Sequence, residues 1–280
     1  MPEIIEVEIT KQKLTPALVG RRILDFKSDW PYGLTSEFGS IAKTAGDIKG
    51  RQVQSLDRRG KVILINLSGN RRIVVHQRMS GHLAIVPPGG TIAPSGGTAG
   101  VKHAHFVFDF NEERKLALID PRKFGTVWYG TPTFIGNISY MKKLGLDALA
   151  INRDELAALI KHSKEGLKVF LLRQDKIAGL GNIMADEILW GARLFPKRVV
   201  NTLSGQEIEI LHKALKRTLA ASLRRGGTSM RDWHHPDGIT GTNQKHFKIY
   251  KQKSCPGCGA AIKRQTVVGR GTYACNFCQK

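Results

Sequence analysis

No stretch of this 280-residue chain holds the roughly 18 consecutive apolar residues that a membrane-spanning helix needs. The N-terminus also lacks a basic segment followed by an apolar one, the mark of a secretory signal. A cytoplasmic protein without a membrane partner is the expectation. Acids are scarce: 23 Asp and Glu stand against 44 Lys and Arg, leaving a formal charge of +21. That excess draws a polyanion. The basic residues are spread along the chain and are not gathered on one amphipathic helix, so nucleic acid fits better than an anionic membrane surface. Cysteine is missing until the last residues, where all four lie in Cys255-Pro-Gly-Cys258 and Cys275-Asn-Phe-Cys278. Two CxxC pairs at this separation predict a closed, tetrahedral, structural zinc site. Two disulfides are the alternative, disfavoured in a reducing compartment. There is no internal repeat, and 41% hydrophobic residues exclude wholesale disorder.

The length suits two modest domains with a small appendage. Ile5, Ile9 and Leu14 approximate one face of a helix over residues 3–19. Strand signals follow. "KVILINLS" (61–68) and "RRIVVHQRM" (71–79) flank a Ser-Gly-Asn turn, as an antiparallel hairpin does. "HAHFVFDF" (103–110) places Phe106, Phe108 and Phe110 on one face, and 115–121 and 125–130 extend the β region. Residues 87–100, rich in Gly and Pro, read as a long loop. Beyond about 135 the texture turns helical: 153–162 is amphipathic. Ser204 and Glu207 form a capping box for a helix whose stripe is Ile208, Leu211, Leu215, Leu219 and Ser222, ended by Gly226-Gly227. A polar stretch, 228–245, leads to the cysteines.

The chain opens "MPEIIEVE". By itself this reads as a helix start, since Pro suits a first turn and acids suit the positive end of the helix dipole. Later motifs change that reading. "DRRGKVILI" (57–65), "HQRMSGHL" (76–83), "DPRKFG" (120–125), "GLGNIMADEILW" (179–190), "RRGGTSMRD" (224–232) and "GRGTYACNFCQK" (269–280), in this order after the opening, resemble the successive signatures of the formamidopyrimidine-DNA glycosylase family of base-excision repair enzymes. The resemblance covers nearly the whole chain. It implies an α+β fold: an N-terminal β-sandwich with its helix (1–134), a helical domain with a helix–two-turns–helix motif (135–245) and a zinc-finger β-hairpin (246–280).

The resemblance also implies roles. Removal of Met1 exposes Pro2 as the nucleophile, a secondary amine that attacks C1′ of the damaged nucleotide and forms an iminium through which phosphates are eliminated. An α-amino group titrates near pH 8, so a useful fraction is neutral. Glu3 is the acid/base residue, Glu6 a supporting carboxylate on the same helix face, and Lys61 a site lysine in place of a bland surface one. Glu8 reads as a solvated acid. Met79, Arg122 and Phe124 match the residues that fill the space left by an extruded base; by residue type alone, Met79 and Phe124 would be core. Lys123 and Arg270 contact phosphates, as does Asn182 from a turn before a helix. Thr228, Ser229 and Arg231 fall in a loop over the extruded base. His103 and His105 project to one side of a strand; lacking a third ligand, they read as a surface pair.

Three positions depart from the family's pattern: Ile4-Ile5 for Leu-Pro, Lys123 for Arg, and "GLDAL" (145–149) for a Pro-containing segment. None removes a catalytic group. The expectation is a monomeric, bifunctional glycosylase and AP lyase acting on oxidised purines in duplex DNA, with one structural Zn²⁺. An endonuclease VIII-like enzyme for oxidised pyrimidines is the nearest alternative, and a non-catalytic damaged-DNA-binding paralogue the second. The intact DPRKFG and the Met of HQRMSG favour purines.

Overall fold

The computed structural model describes residues 2–86, 102–230 and 233–280, so the 87–100 loop and Arg231 lie outside the described residues. The chain forms two compact units. The first holds residues 1–2, 6–142 and 228–241; the second holds 3–5, 143–227 and 242–280.

Helix α1 (Ile4–Leu18) begins the chain. In the first unit two sheets follow. One has the order β1 (Ile23–Ser28), β7 (Ala104–Phe110), β8 (Lys115–Ile119), β6 (His82–Val86), antiparallel throughout. The other runs β2 (Leu34–Ser36), β9 (Thr126–Gly130), β5 (Arg71–His76), β4 (Val62–Leu67), β3 (Val53–Arg59), antiparallel except for the β2–β9 pair. Helix α2 (Ile41–Ile48) lies between β2 and β3 in sequence.

The expected 61–79 hairpin forms as β4 and β5, in register from Val62↔His76 to Leu67↔Arg71. The shared core fixes that register, because a one-residue slip would turn Ile63, Ile65, Ile73 and Val75 out of it. Phe106, Phe108 and Phe110 are buried on one face of β7, and Phe26 stacks on Phe108 at 4.8 Å. Each such ring contributes roughly 1.5–3 kcal/mol by burial. One hydrophobic core joins these residues of both sheets with Val7, Leu14 and Leu18 of α1. Short helices α3 (Pro132–Asn137) and α4 (Ser139–Lys142) close the unit.

The second unit contains a two-residue parallel pair, β10 (Leu146–Asp147) with β11 (Ile177–Ala178), and helices α5 (Arg153–Lys161), α6 (Leu167–Leu172), α7 (Asn182–Ala192) and α8 (Gly205–Arg224). The Ser204–Glu207 capping box is present, and the five stripe residues of α8 are buried. Gly226 and Gly227, both at positive φ, follow its end. The hairpin β12 (Lys263–Val267) and β13 (Arg270–Ala274) carries the C-terminal cysteines. Among the described residues, no helix is long and apolar enough to cross a membrane.

The β12–β13 turn is Val268-Gly269, with φ of 46° and 69°. Two-residue hairpin turns favour this left-handed backbone region, which matches the right-handed twist of the strands, but a β-branched residue there costs about 1–2 kcal/mol in steric strain. Val268 packs little in return, being 78% exposed. Val268→Asn should therefore raise stability by about 1 kcal/mol, read as an upward shift in thermal unfolding and slower amide exchange in residues 263–274. An unchanged or lower melting temperature would contradict the strain.

Candidate active site and DNA-contacting residues

Glu3 immediately precedes α1, and its carboxylate sits on the N-terminus of α7. Its oxygens accept from the amides of Gly181 (2.9 Å), Ile183 (3.0 Å) and Met184 (3.3 Å). The first amides of a helix have no partners inside it and carry the positive end of its dipole. Gly181, the N-cap, has no side chain to serve them, and Glu3 does so from 178 positions away.

The two glycines of GLGN follow from this seat. A Cβ on Gly181 would lie 2.3 Å from Cδ of Glu3, and one on Gly179 would lie 2.8 Å from Cβ of Ile4. Gly179 also has φ +107°, and its carbonyl accepts from the Ile4 amide at 3.0 Å. Asn182, the first residue of α7, donates through Nδ2 to the carbonyl of Gly271 (3.0 Å), next to Arg270 on β13. Glu3, Asn182 and Arg270 are thus gathered around one helix N-terminus.

The hairpin that presents Arg270 is tied down by buried charge. Lys168 of α6 and Asp186 of α7 pair at 2.7 Å, both fully buried. Lys168 also donates to Oγ1 of Thr272, and Asp186 accepts from the Tyr273 amide. Glu187 accepts from the successive amides of Lys248, Ile249 and Tyr250. Cys255 and Cys275 pack with Ile249 and against Trp190. The four Sγ atoms lie within 4.8 Å of one another, with Cys255–Cys278 at 3.8 Å and Cys258–Cys275 at 3.5 Å. A disulfide needs about 2.05 Å, so all four are free thiols. Tetrahedral thiolate ligands at about 2.3 Å from a metal stand roughly 3.8 Å apart, and the cluster fits such an ion.

In the first unit, Pro2 and Glu6 are buried, and Oε1 of Glu6 accepts from the Thr228 amide at 2.8 Å. Glu3 and Glu6 share a helix start but meet different main-chain partners. Ser229 Oγ accepts from the Gly241 amide. Lys61 is no surface lysine: it is 6% exposed, in the two-residue turn between β3 and β4 beside Gly60 at φ 55°. The solvated reading of Glu8 is likewise corrected. Glu8 is buried, bonded by Arg58 Nε (2.8 Å) and Lys11 Nζ (2.7 Å). Burial raises its pKa, but Lys11 and Arg58 together outweigh that and hold it below the usual carboxylate value. Arg58 also donates to the Gly60 carbonyl (3.1 Å), so Glu8 supports the turn bearing Lys61. Arg58 lies 50 positions from Glu8, and no spacing pattern announces it.

His76 ends β5 opposite Val62, the residue after Lys61. Burial, then the charges of Arg78 and Lys61, push it down to about 3, so it is neutral in working conditions. Its Nδ1 accepts from the Arg78 amide at 3.0 Å, which leaves the proton on Nε2, 3.1 Å from the Tyr140 hydroxyl. The expected surface pair of histidines is also revised. His105 is buried, with Nδ1 2.8 Å from Oδ1 of Asp29, whereas His103 lies before β7 at φ +68°.

Met79 and Phe124 are not core residues: they are 49% and 42% exposed. Arg122, Lys123 and Phe124 form one exposed loop, with the Arg122 guanidinium 4.4 Å from the Phe124 ring centre. Asp120, unremarked in the sequence beyond its place in DPRKFG, is fully buried. Its carboxylate accepts from Ser80 Oγ (2.5 Å) and from the amides of Arg122 (3.2 Å), Phe124 (2.7 Å) and Gly125 (2.5 Å).

Any side chain at Gly181 must displace Glu3. Gly181→Ala should break the bonds from the Gly181, Ile183 and Met184 amides to Glu3 and speed amide exchange there at least about tenfold, while leaving the melting temperature within a few degrees. Hydrogen exchange measures the first and calorimetry the second. Unchanged exchange at the three amides would show that the carboxylate keeps its seat beside a side chain.

Residues 1–127 match the family model of the formamidopyrimidine-DNA glycosylase N-terminal domain, and residues 144–233 that of the H2TH domain. The formamidopyrimidine-DNA glycosylase of Roseiflexus sp. (strain RS-1) is 36% identical, with all of both chains covered. That of Chloroflexus aggregans is 35% identical over all of this chain and 98% of its own. The crystal structure of MutM (Fpg) from Thermus thermophilus superposes with a TM-score of 0.86 at 31% identity, covering 99% of this chain and 98% of that one. The Lactococcus lactis Fpg mutant G226P, in complex with DNA containing Fapy-dG, superposes with a TM-score of 0.88 at 29% identity over all of both chains. With family models matching both regions and relatives of about 35% identity over the full chain, the chain belongs to the formamidopyrimidine-DNA glycosylase family of DNA-repair enzymes.

Proposed function

We propose that this protein excises oxidised purines, 8-oxoguanine and formamidopyrimidines, from duplex DNA and then cleaves the strand as an AP lyase. The seat of Glu3 carries this reading. A carboxylate held by three main-chain amides is fixed one residue after Pro2, whose nitrogen becomes a free secondary amine once Met1 is removed. In the proposed reaction that amine attacks C1′, the base departs, and the resulting iminium withdraws electrons for β- and δ-elimination of the flanking phosphates. Glu3 moves protons at the sugar, Glu6 supports the site, and Lys61 assists base loss or holds a phosphate. Asn182, Lys123 and Arg270 take backbone phosphates. Met79, Arg122 and Phe124 fill the vacated stack, with Arg122 reading the orphaned base. Thr228, Ser229 and Arg231 belong to a loop that closes over the extruded base.

The structural domains of this reading are the β-sandwich, 1–134, the helical domain, 135–245, and the zinc finger, 246–280. The enzyme works as a cytoplasmic monomer. The endonuclease VIII-like alternative separates by substrate: duplexes carrying 8-oxoguanine or an oxidised pyrimidine should be cleaved at the purine first.

Borohydride added during turnover should reduce the iminium and leave protein and DNA covalently joined. Glu3→Gln should lower base excision by roughly 10²-fold or more. Retained Met1 should abolish trapping, because it places the Pro2 nitrogen in an amide. Full strand cleavage by protein sequenced with Met1 intact would remove Pro2 as the nucleophile and make Lys61 the next candidate.

The metal in this reading is one structural Zn²⁺ held by Cys255, Cys258, Cys275 and Cys278, with all positions filled by sulfur and none open to substrate. Its binding stabilises the fold of the hairpin. Elemental analysis should find about one zinc per chain. Cys258→Ser should lower that content and weaken duplex binding through Arg270. Zinc-free protein that binds damaged duplex as tightly as the untreated enzyme would contradict this role.

A further inference from the structure

Two exposed loops hang on one buried carboxylate. Oδ1 of Asp120 takes the Ser80 hydroxyl and the Arg122 amide; Oδ2 takes the amides of Phe124 and Gly125. Ser80 follows Met79 directly, and it is itself buried. On the other side of Met79, Arg78 stands at φ 54° with its amide on Nδ1 of His76. Met79 therefore projects from between two anchored neighbours. The second loop is bound as tightly. Lys123, at φ 53°, donates its amide to the Asp120 carbonyl (3.1 Å), and the Asp120 amide donates to the His103 carbonyl (2.9 Å). A Cβ on Gly125 would lie 3.2 Å from Oδ2 and 3.1 Å from Leu118, so the loop closes against the carboxylate.

We propose that Asp120 is a positioning residue that couples the Met79 loop to the Arg122–Phe124 loop, so that the two enter DNA as one unit and the opposite-base reading by Arg122 depends on the seat of Met79. This rests on the void-filling reading of Met79, Arg122 and Phe124 given above. The chemistry requires a carboxylate. Only a group with two acceptor oxygens can serve a hydroxyl and three amides at once. Asparagine keeps the shape but turns an NH₂ towards N–H donors, leaving buried groups unsatisfied. The bond from Ser80 reaches across 40 positions of chain, so one oxygen transmits a displacement of either loop to the other.

The test is the ratio of kcat/KM for 8-oxoguanine paired with cytosine to that for 8-oxoguanine paired with adenine, measured on the full-length zinc-loaded enzyme. Arg122→Ala should lower the ratio at least about fivefold, the loss of one base-edge contact. Asp120→Asn should lower it to within about twofold of the Arg122→Ala value, and Ser80→Ala should lower it at least about threefold. Met79→Ala in the Asp120→Asn background should cause no further fall. A merely structural role for Asp120 would lower both kcat/KM values by one factor and leave the ratio unchanged, and that result overturns the coupling. Should Asp120→Asn fail to fold, Ser80→Ala decides alone: a wild-type ratio there overturns the proposal. Failure of the underlying reading looks different, because Arg122→Ala itself would then keep the wild-type ratio.

Discussion

The contact between the Glu3 carboxylate and the first amides of α7 is the constraint around which the residues at that helix terminus are arranged. It links the second residue after the initiator to a helix that begins at residue 182. Much else follows from it. Gly179 and Gly181 are required because Ile4 and Glu3 occupy the space a side chain would fill. Asn182 is brought to β13, and with it Arg270. GLGN is thus a receptacle for the N-terminal segment. The departures Ile4-Ile5 are tolerated for the same reason. Both side chains are fully buried, and what positions Glu3 is the helix it accepts from.

Six of the 23 acids of this basic chain are used in a consistent way. Glu3, Glu6, Asp120 and Glu187 are buried and accept main-chain amides. Asp186 and Glu8 are buried against Lys168 and Arg58. A main-chain amide offers an ordered donor without adding a mobile side chain, so each carboxylate fixes backbone geometry at low entropic cost. Removing these acids from the surface also leaves the surface more cationic than composition suggests. For a protein that must hold a polyanion, internal anchoring and external attraction come from the same placement of charge.

The neutral His76 shows the reverse case. Its two ring nitrogens serve the Arg78 amide and the Tyr140 hydroxyl, and adjoining cations together with burial keep it uncharged. A charged imidazole would lose the acceptor that shapes the loop before Met79. Near Lys61 and the exposed Arg122 loop, selection of charge state by burial thus acts on loop geometry.

Residue order alone determined those features that repeat locally or carry strong pairwise spacing. The paired CxxC units specified four sulfurs within one hairpin. Ser204 and Glu207 specified the start of α8. Alternation specified the inward face of β7, because side-chain direction in a strand has a period of two, whereas 61–68 is a near-continuous apolar run and β4 is buried on both faces. Even so, the bland readings of Glu8, Lys61, His105 and Met79 failed, because burial is a property of packing and not of residue type. Only the tertiary structure decided which group each carboxylate would meet. Arg58 lies 50 positions from Glu8, Ser80 lies 40 from Asp120, and Gly181 lies 178 from Glu3. Contacts over such separations leave no period in the sequence. They exist only when strands, turns and helix ends, each locally encoded, pack within their unit and leave a buried carboxylate with main-chain amides or a distant side chain as its partners.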